Sequence, residues 1–160
     1  MAVRQLGLVS CVLVAGLLGG GCAVGNRVEK SEANASLANS PAVRDGVFIH
    51  IRSGPDHAHA VMMGLRMAQM MQSDRDVLVY LDVDGIKAVL ADAPDLRMEP
   101  FGSSRAMLAD LISKGVGVYA CPGCLKAAGK SASDLMPGVR VAEKEAFFGF
   151  TKGRILSLTY

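Results

Sequence analysis

From residue 46 onward the apolar residues switch repeatedly between a two-residue period and a three-to-four-residue period, and this alternation limits the fold more than any other feature. Gly46-Val-Phe-Ile-His-Ile-Arg52 is a short β-branched run bounded by Gly46 and by Ser53-Gly54-Pro55, the pattern of a buried strand. Over 56–73 the apolar positions become Ala58, Val61, Met62, Leu65, Ala68 and Met71, which is helical spacing behind a proline suited to a first turn. Asp76 to Val83 reads as a second strand ended by Asp84-Gly85, with a short helical turn over Ile86 to Leu90. Ser103 or Ser104 can cap a helix over Arg105 to Lys114, and Gly115 ends it. Val116–Ala120, Val139–Ala142 and Arg154–Thr159 read as strands, Pro122–Gly129 as a helix, and Glu143–Phe148 as a helical turn or two. Strands that alternate with helices predict an α/β fold: a three-layer α/β/α arrangement with a mainly parallel five-stranded sheet, because each right-handed crossover needs a helix to cover one face. Functional groups are then expected beyond the carboxyl ends of the strands.

The first 21 residues follow another rule. Arg4 is their only charge, and Leu6 to Leu18 is an apolar run of the length of a signal peptide's h-region, too short to span a bilayer. Gly16, Gly19, Gly20 and Gly21 argue against a buried core helix, since each would cost about 1 kcal/mol relative to Ala in a helix interior. Gly19-Gly20-Gly21-Cys22 resembles the lipobox of bacterial lipoproteins, in which the cysteine is acylated after cleavage, so Cys22 is a lipidation candidate. Plain cleaved secretion and an uncleaved anchor remain alternatives, and all three export the domain. The expected location is therefore the periplasmic side of a bacterial membrane, with contact to the bilayer only through a lipid. Residues 22–45, rich in Ala, Ser and Asn without a sustained apolar period, read as a flexible tether to a body of 115 residues, 46–160.

Composition removes other classes. With 17 Lys plus Arg against 15 Asp plus Glu in 160 residues there is no broad basic face, so nucleic acid is not an expected partner. No GxGxxG, GxxxxGK[ST] or GxSxG pattern stands in the body, so nucleotide and serine-hydrolase chemistry have no anchor, and no cofactor is expected.

Cys121 and Cys124, in Cys-Pro-Gly-Cys, are the only thiols of the body. They stand where the third strand hands over to a helix, with Cys121 near the N-cap, Pro122 at the first helical position and Lys126 adding positive charge. Unpaired N–H groups at such a terminus favour a thiolate and lower its pKa. Three chemistries fit the pair in an oxidising compartment. A structural disulfide would close too short a loop to stabilise much. Metal binding would lack two of the four ligands of a closed zinc site. Redox or sulfur-transfer chemistry needs only a reactive thiolate and a neighbour.

VYACPGCLKAAG at 118–129, preceded by GVFIHIRSGPD and by VLVYLDVDG, resembles the DsrE/DsrF-like proteins of sulfur relay, across the whole body. The resemblance implies a parallel sheet flanked by helices, a cysteine after the third strand that accepts sulfur as a persulfide, and assembly into homo-oligomers, trimers or hexamers. Carried over, Cys121 and Cys124 become the catalytic candidates, and which of them is loaded is left open. The implied partner is a sulfur donor or acceptor protein or a small thiol, and the implied activity is that of a carrier, a sulfurtransferase or a thiol oxidoreductase. The exported leader departs from the cytoplasmic members of that family.

The remaining candidates carry competing readings. His57 and His59 fall at the same sheet edge as the thiols, and with Met62 and the same cysteines, Cys121 and Cys124, they form a candidate soft site for Cu(I), the basis of an alternative reading as a copper-binding module. Met62, Met63, Met67, Met70 and Met71 also follow the helical spacing of core filler. His50 reads as structural, Asp82 and Asp84 as a strand end and turn, and Phe147-Phe148-Gly149-Phe150 as core or subunit contact. A last alternative is a structural subunit whose cysteines are bridged.

Overall fold

Val47, Ile49 and Ile51 point to one face of a sheet while Phe48 and His50 point to the other, as the two-residue period of a strand requires. The computed structural model describes residues 42–160, so the leader, Cys22 and the tether up to residue 41 lie outside the described residues. The strands are β1 (Gly46–Ile51), β2 (Asp76–Leu81), β3 (Arg97–Met98), β4 (Gly102–Ser103), β5 (Gly117–Ala120), β6 (Arg140–Val141) and β7 (Ile155–Thr159); the α-helices are α1 (Ala58–Met71), α2 (Ser104–Ser113), α3 (Pro122–Ala127) and α4 (Lys144–Gly149). Five strands form one sheet in the order β6-β5-β2-β1-β7, and every pairing in it is parallel. The expected three-layer α/β/α architecture is what the chain adopts. The two-residue strands β3 and β4 form a separate antiparallel hairpin that period alone did not reveal.

The layers differ in how completely they are filled. On one face Val47, Ile49, Ile51, Val77, Val79, Leu81, Val118 and Ala120 meet Val61, Met62, Leu65 and Ala68 of α1 and Met107, Leu108 and Leu111 of α2. Each large side chain buried there stabilises the fold by about 1.5–3 kcal/mol. Gly64 lets α1 approach β1: a Cβ at that position would stand 2.8 Å from the Ile51 side chain. Gln69 Nε2 donates to Asp110 Oδ2 at 2.8 Å and links the two helices, and Ser103 caps α2 by accepting the Ala106 N–H at 3.1 Å. On the opposite face Phe147 of α4 packs against Phe48 and Tyr80, with ring centroids 5.8 and 5.1 Å away.

Several boundaries moved for physical reasons. The second strand stops at Leu81 instead of Val83, because Val83 turns into the left-handed region. The first helix begins as a 3-10 turn over Pro55–His57 before α1. Arg44 and Asp45, the end of the expected tether, are already tied to the body: Arg44 Nη2 donates to the Arg75 carbonyl at 2.7 Å, and Asp45 Oδ2 lies 2.6 Å from Arg154 Nη2. No described helix is long and apolar enough to cross a membrane.

Candidate functional site

β5 ends in a fully buried Ala120, and the next N–H, that of Cys121, still donates to the Leu81 carbonyl of β2 at 2.9 Å. The chain therefore leaves the sheet at Cys121, and Pro122 starts α3 at once, where its missing N–H costs nothing. Cys121 occupies the N-cap position and its Sγ accepts the Cys124 N–H at 3.4 Å, so a sulfur does here what a serine or aspartate oxygen does at other helix starts. Both thiols are free and half-buried, packed against the edge of the core cluster.

The two sulfurs lie in unequal surroundings. Burial pushes the Cys121 thiol up, but the nearby Tyr80 hydroxyl, the Cys124 N–H that its sulfur accepts, the Cys124 thiol and the Gly123 N–H together outweigh that. The net result holds Cys121 below the ordinary thiol range, because donors stabilise the charged form. Cys124 is pushed the other way, first by burial, then by its own hydrogen bond to Cys121 and by the negative charges of Cys121 and Asp82; the Val83 N–H opposes this. Cys121 is thus the more readily ionised of the two thiols. Tyr80 matches this picture: burial first, and then its closeness to Cys121, push its hydroxyl well above the ordinary tyrosine range, so it stays protonated.

Tyr80 lies opposite Tyr119 of β5 in register and faces the α4 side of the sheet, where the Phe147 ring meets it edge-on at 83°. His50, its neighbour on β1, lies 5.6 Å from it ring to ring. The His50 Nε2 atom comes within 2.9 Å of Asp82 Oδ2 without the alignment of a hydrogen bond, and Asp82 Oδ1 has only Arg52 Nε, 3.9 Å away, as a charged neighbour. Asp82 is thus half-buried, where strand alternation suggested an outward-facing residue.

Beyond Asp82 the chain makes a strained turn. Val83 has φ of +49° and its side chain is 47% exposed, a conformation that β-branched residues avoid and that costs roughly 1–2 kcal/mol. Its N–H donates to Cys124 Sγ at 3.1 Å. Gly85 fixes the turn: its N–H reaches the Asp82 carbonyl at 2.7 Å and the Arg52 carbonyl at 2.9 Å, and a Cβ there would stand 2.2 Å from the Ile51 carbonyl oxygen.

Of the remaining sequence candidates, His57 and His59 line a cavity of about 600 Å³ together with Met63, Met98 and Tyr160, and the His59 ring packs against Phe101 at 5.6 Å. Met62 is fully buried in the core beneath α1, because its position on the helical stripe points it at the sheet, and the cavity takes Met63 instead. The structure does not bring His57, His59 and Met62 together. Among the described residues no group of three or more His, Cys, Asp or Glu is close enough to hold a metal ion. Lys126, expected to add positive charge at the thiols, stands in the last turn of α3. Tyr80 and the Val83 N–H were not legible as site groups: the first depends on strand register and the second on a backbone angle.

Comparison with known proteins agrees with this architecture. The chain is similar to the crystal structure of the YchN protein from E. coli, with a TM-score of 0.56 and 21% identity over 74% of this chain and 100% of that one. It is also similar to MTH1491 from Methanobacterium thermoautotrophicum, a protein described as of unknown function, with a TM-score of 0.50 and 16% identity over 72% of this chain and 99% of that one. These likenesses define a DsrE/YchN-like fold. No protein-family profile matches the chain, and no curated protein matches it.

Proposed function

We propose that this protein carries or transfers sulfane sulfur through Cys121, with Cys124 as its partner thiol. The observation that supports the reading best is the place of Cys121 at the N-cap of α3, where its sulfur accepts the Cys124 N–H at 3.4 Å and its charged form is favoured. A thiolate so held attacks the outer sulfur of a donor persulfide, R–S–SH. The new bond joins Cys121 Sγ to the sulfane sulfur, the donor S–S bond breaks, and R–S⁻ leaves with the electron pair. Cys121 then bears the sulfane sulfur as –S–SH, with no net change in oxidation state. The same thiolate exchanges with disulfides, and the product separates the two chemistries.

The donor or acceptor is a protein or small thiol, since the half-buried pair opens at the sheet edge. The reading includes export to the periplasmic side with a lipid on Cys22, and assembly into a homo-oligomer, trimer or hexamer; these parts rest on the leader and on the resemblance in the body. Mass spectrometry of the protein after incubation with a sulfane donor tests the core of it. A gain of one sulfur at Cys121 supports transfer, a Cys121–Cys124 bridge without sulfur gain supports thiol exchange, and neither product on reduced protein refutes both.

A further inference from the structure

We propose that the cavity at the amino ends of β2 and β5 is an anion site that takes the phosphate group of a small ester, free or as a lipid headgroup. The inference stands apart from the sulfur-transfer reading. The thiols lie beyond the opposite ends of the same strands, about 13 Å further along the chain from Gly117 to Cys121.

The cavity has a volume of about 310 Å³, and Arg44, Arg75, Lys114 and Arg140 line it with Gln72 and a single carboxylate, Asp76. Four cations thus share one anion, in a chain whose 17 basic and 15 acidic side chains otherwise nearly cancel. The parallel topology collects them. Arg75 precedes the first residue of β2, Lys114 follows the last residue of α2 on the way into β5, and Arg140 opens β6, so all three stand at one edge of the sheet.

Three of these cations have carboxylate neighbours: Arg44 lies 3.6 Å from Asp76, Arg75 2.6 Å from Asp74 and Lys114 2.9 Å from Asp110. Asp74 and Asp110 do not line the cavity, and pairs as exposed as these hold little energy, so a dianion can draw the cations at small cost. Arg140 is the cation left over. Among the described residues it forms no ion pair, and its guanidinium lies over the Tyr119 ring, 4.5 Å from the centroid. Stacking fixes the plane of the guanidinium and leaves its N–H edge for a ligand, and that planar fork matches phosphate oxygens. Gly117 makes the stack possible, since a Cβ there would stand 2.6 Å from the Tyr119 ring and 3.2 Å from Arg140 Nη2. Tyr119 and Phe150 add apolar wall, which favours an organic phosphate over the bare ion. A headgroup is one source of it, because Arg44 sits where the chain leading back to Cys22 joins the body.

The test is an amide NMR titration of the protein at low salt with glycerol 3-phosphate, with glycerol as the neutral control. The expected result is saturable shifts at Gly115, Gly117 and Arg140, none with glycerol, and an affinity that falls as salt rises. Arg140→Gln, a change at an exposed side chain, weakens binding roughly tenfold, the loss of one charge-assisted hydrogen bond. Arg140→Lys keeps the charge without the fork and recovers part of that loss. Cys121→Ser binds like wild type, so failure here and failure of sulfur loading are read independently. Sedimentation with vesicles separates the two sources. Retention on phosphatidylglycerol, absent on phosphatidylcholine and lost with Arg140→Gln, assigns a headgroup; a saturable titration without retention assigns a soluble ester. Shifts that do not saturate, shifts that glycerol reproduces, or an Arg140→Gln protein that binds like wild type overturn the proposal.

Discussion

Two sulfurs three residues apart ionise differently because their donors differ, and the difference is measurable. Replacing Tyr80 by Phe removes a hydroxyl that favours the charged form of Cys121, so the alkylation midpoint of Cys121 should rise in a Cys124→Ser background. The fall in rate at neutral pH is the readout, and an unchanged midpoint would remove Tyr80 from the site. The sign of the stability effect follows from the same shift. Cys121 is held below its unfolded range, so its thiolate stabilises the folded state above the unfolded pKa, and that contribution fades as pH falls through the lower folded value. The stability difference between wild type and Cys121→Ser, followed by urea denaturation, should therefore narrow as the solution is acidified from about pH 9. Residue types alone placed Cys121 and Cys124 at a helix start, since strand, proline and helix follow one another in the text of the chain. They could not show which sulfur ionises more readily, because Tyr80 lies 41 residues away from Cys121 and comes near it through the pairing of β2 with β5.

At the scale of elements, the turn between β2 and the segment that follows carries the most strain, and Gly85 is its keystone. Gly85→Ala would drive a Cβ into the Ile51 carbonyl and should destabilise the domain by about 2–3 kcal/mol, read as a lower urea midpoint. Ser103→Ala, which removes the cap of α2, should cost about 1 kcal/mol and leave the thiol midpoints untouched. The two variants separate damage to the site from damage to the fold. Elements with strong periodicity were legible: α1 follows its Val61, Met62, Leu65, Ala68 stripe, and β1 its bounded β-branched run. The β3–β4 hairpin was not, because two residues per strand are too few to show a period. The end of β2 was misread because Val83 has the side chain of a strand residue and the backbone angle of a turn. Met62 was offered as a ligand although its helical position aims it at the core, and His57 and His59 meet Met63 in its place.

Among the described residues, one face of the sheet carries the large aliphatic core and the other the smaller aromatic cluster of Phe48, Tyr80 and Phe147. Phe148 of α4 is 73% exposed, and Ile155 and Leu156 of the edge strand β7 are 49% and 54% exposed. In line with the proposed homo-oligomer, the purified domain should elute ahead of a monomer in size-exclusion chromatography with light scattering, and Phe148→Glu should shift it toward the monomer. A wild-type domain that elutes as a monomer would remove the oligomer from the proposal. The mature chain from the native host should also begin at a lipid-modified Cys22, read by intact mass. The central claim, that Cys121 accepts sulfane sulfur, is tested most directly by intact and peptide mass spectrometry after incubation with a sulfane donor, on wild type, Cys121→Ser and Cys124→Ser. The account predicts a gain of one sulfur on Cys121 in wild type and Cys124→Ser, and none in Cys121→Ser. Absence of added sulfur from reduced wild type, or equal loading of Cys121→Ser, would contradict it.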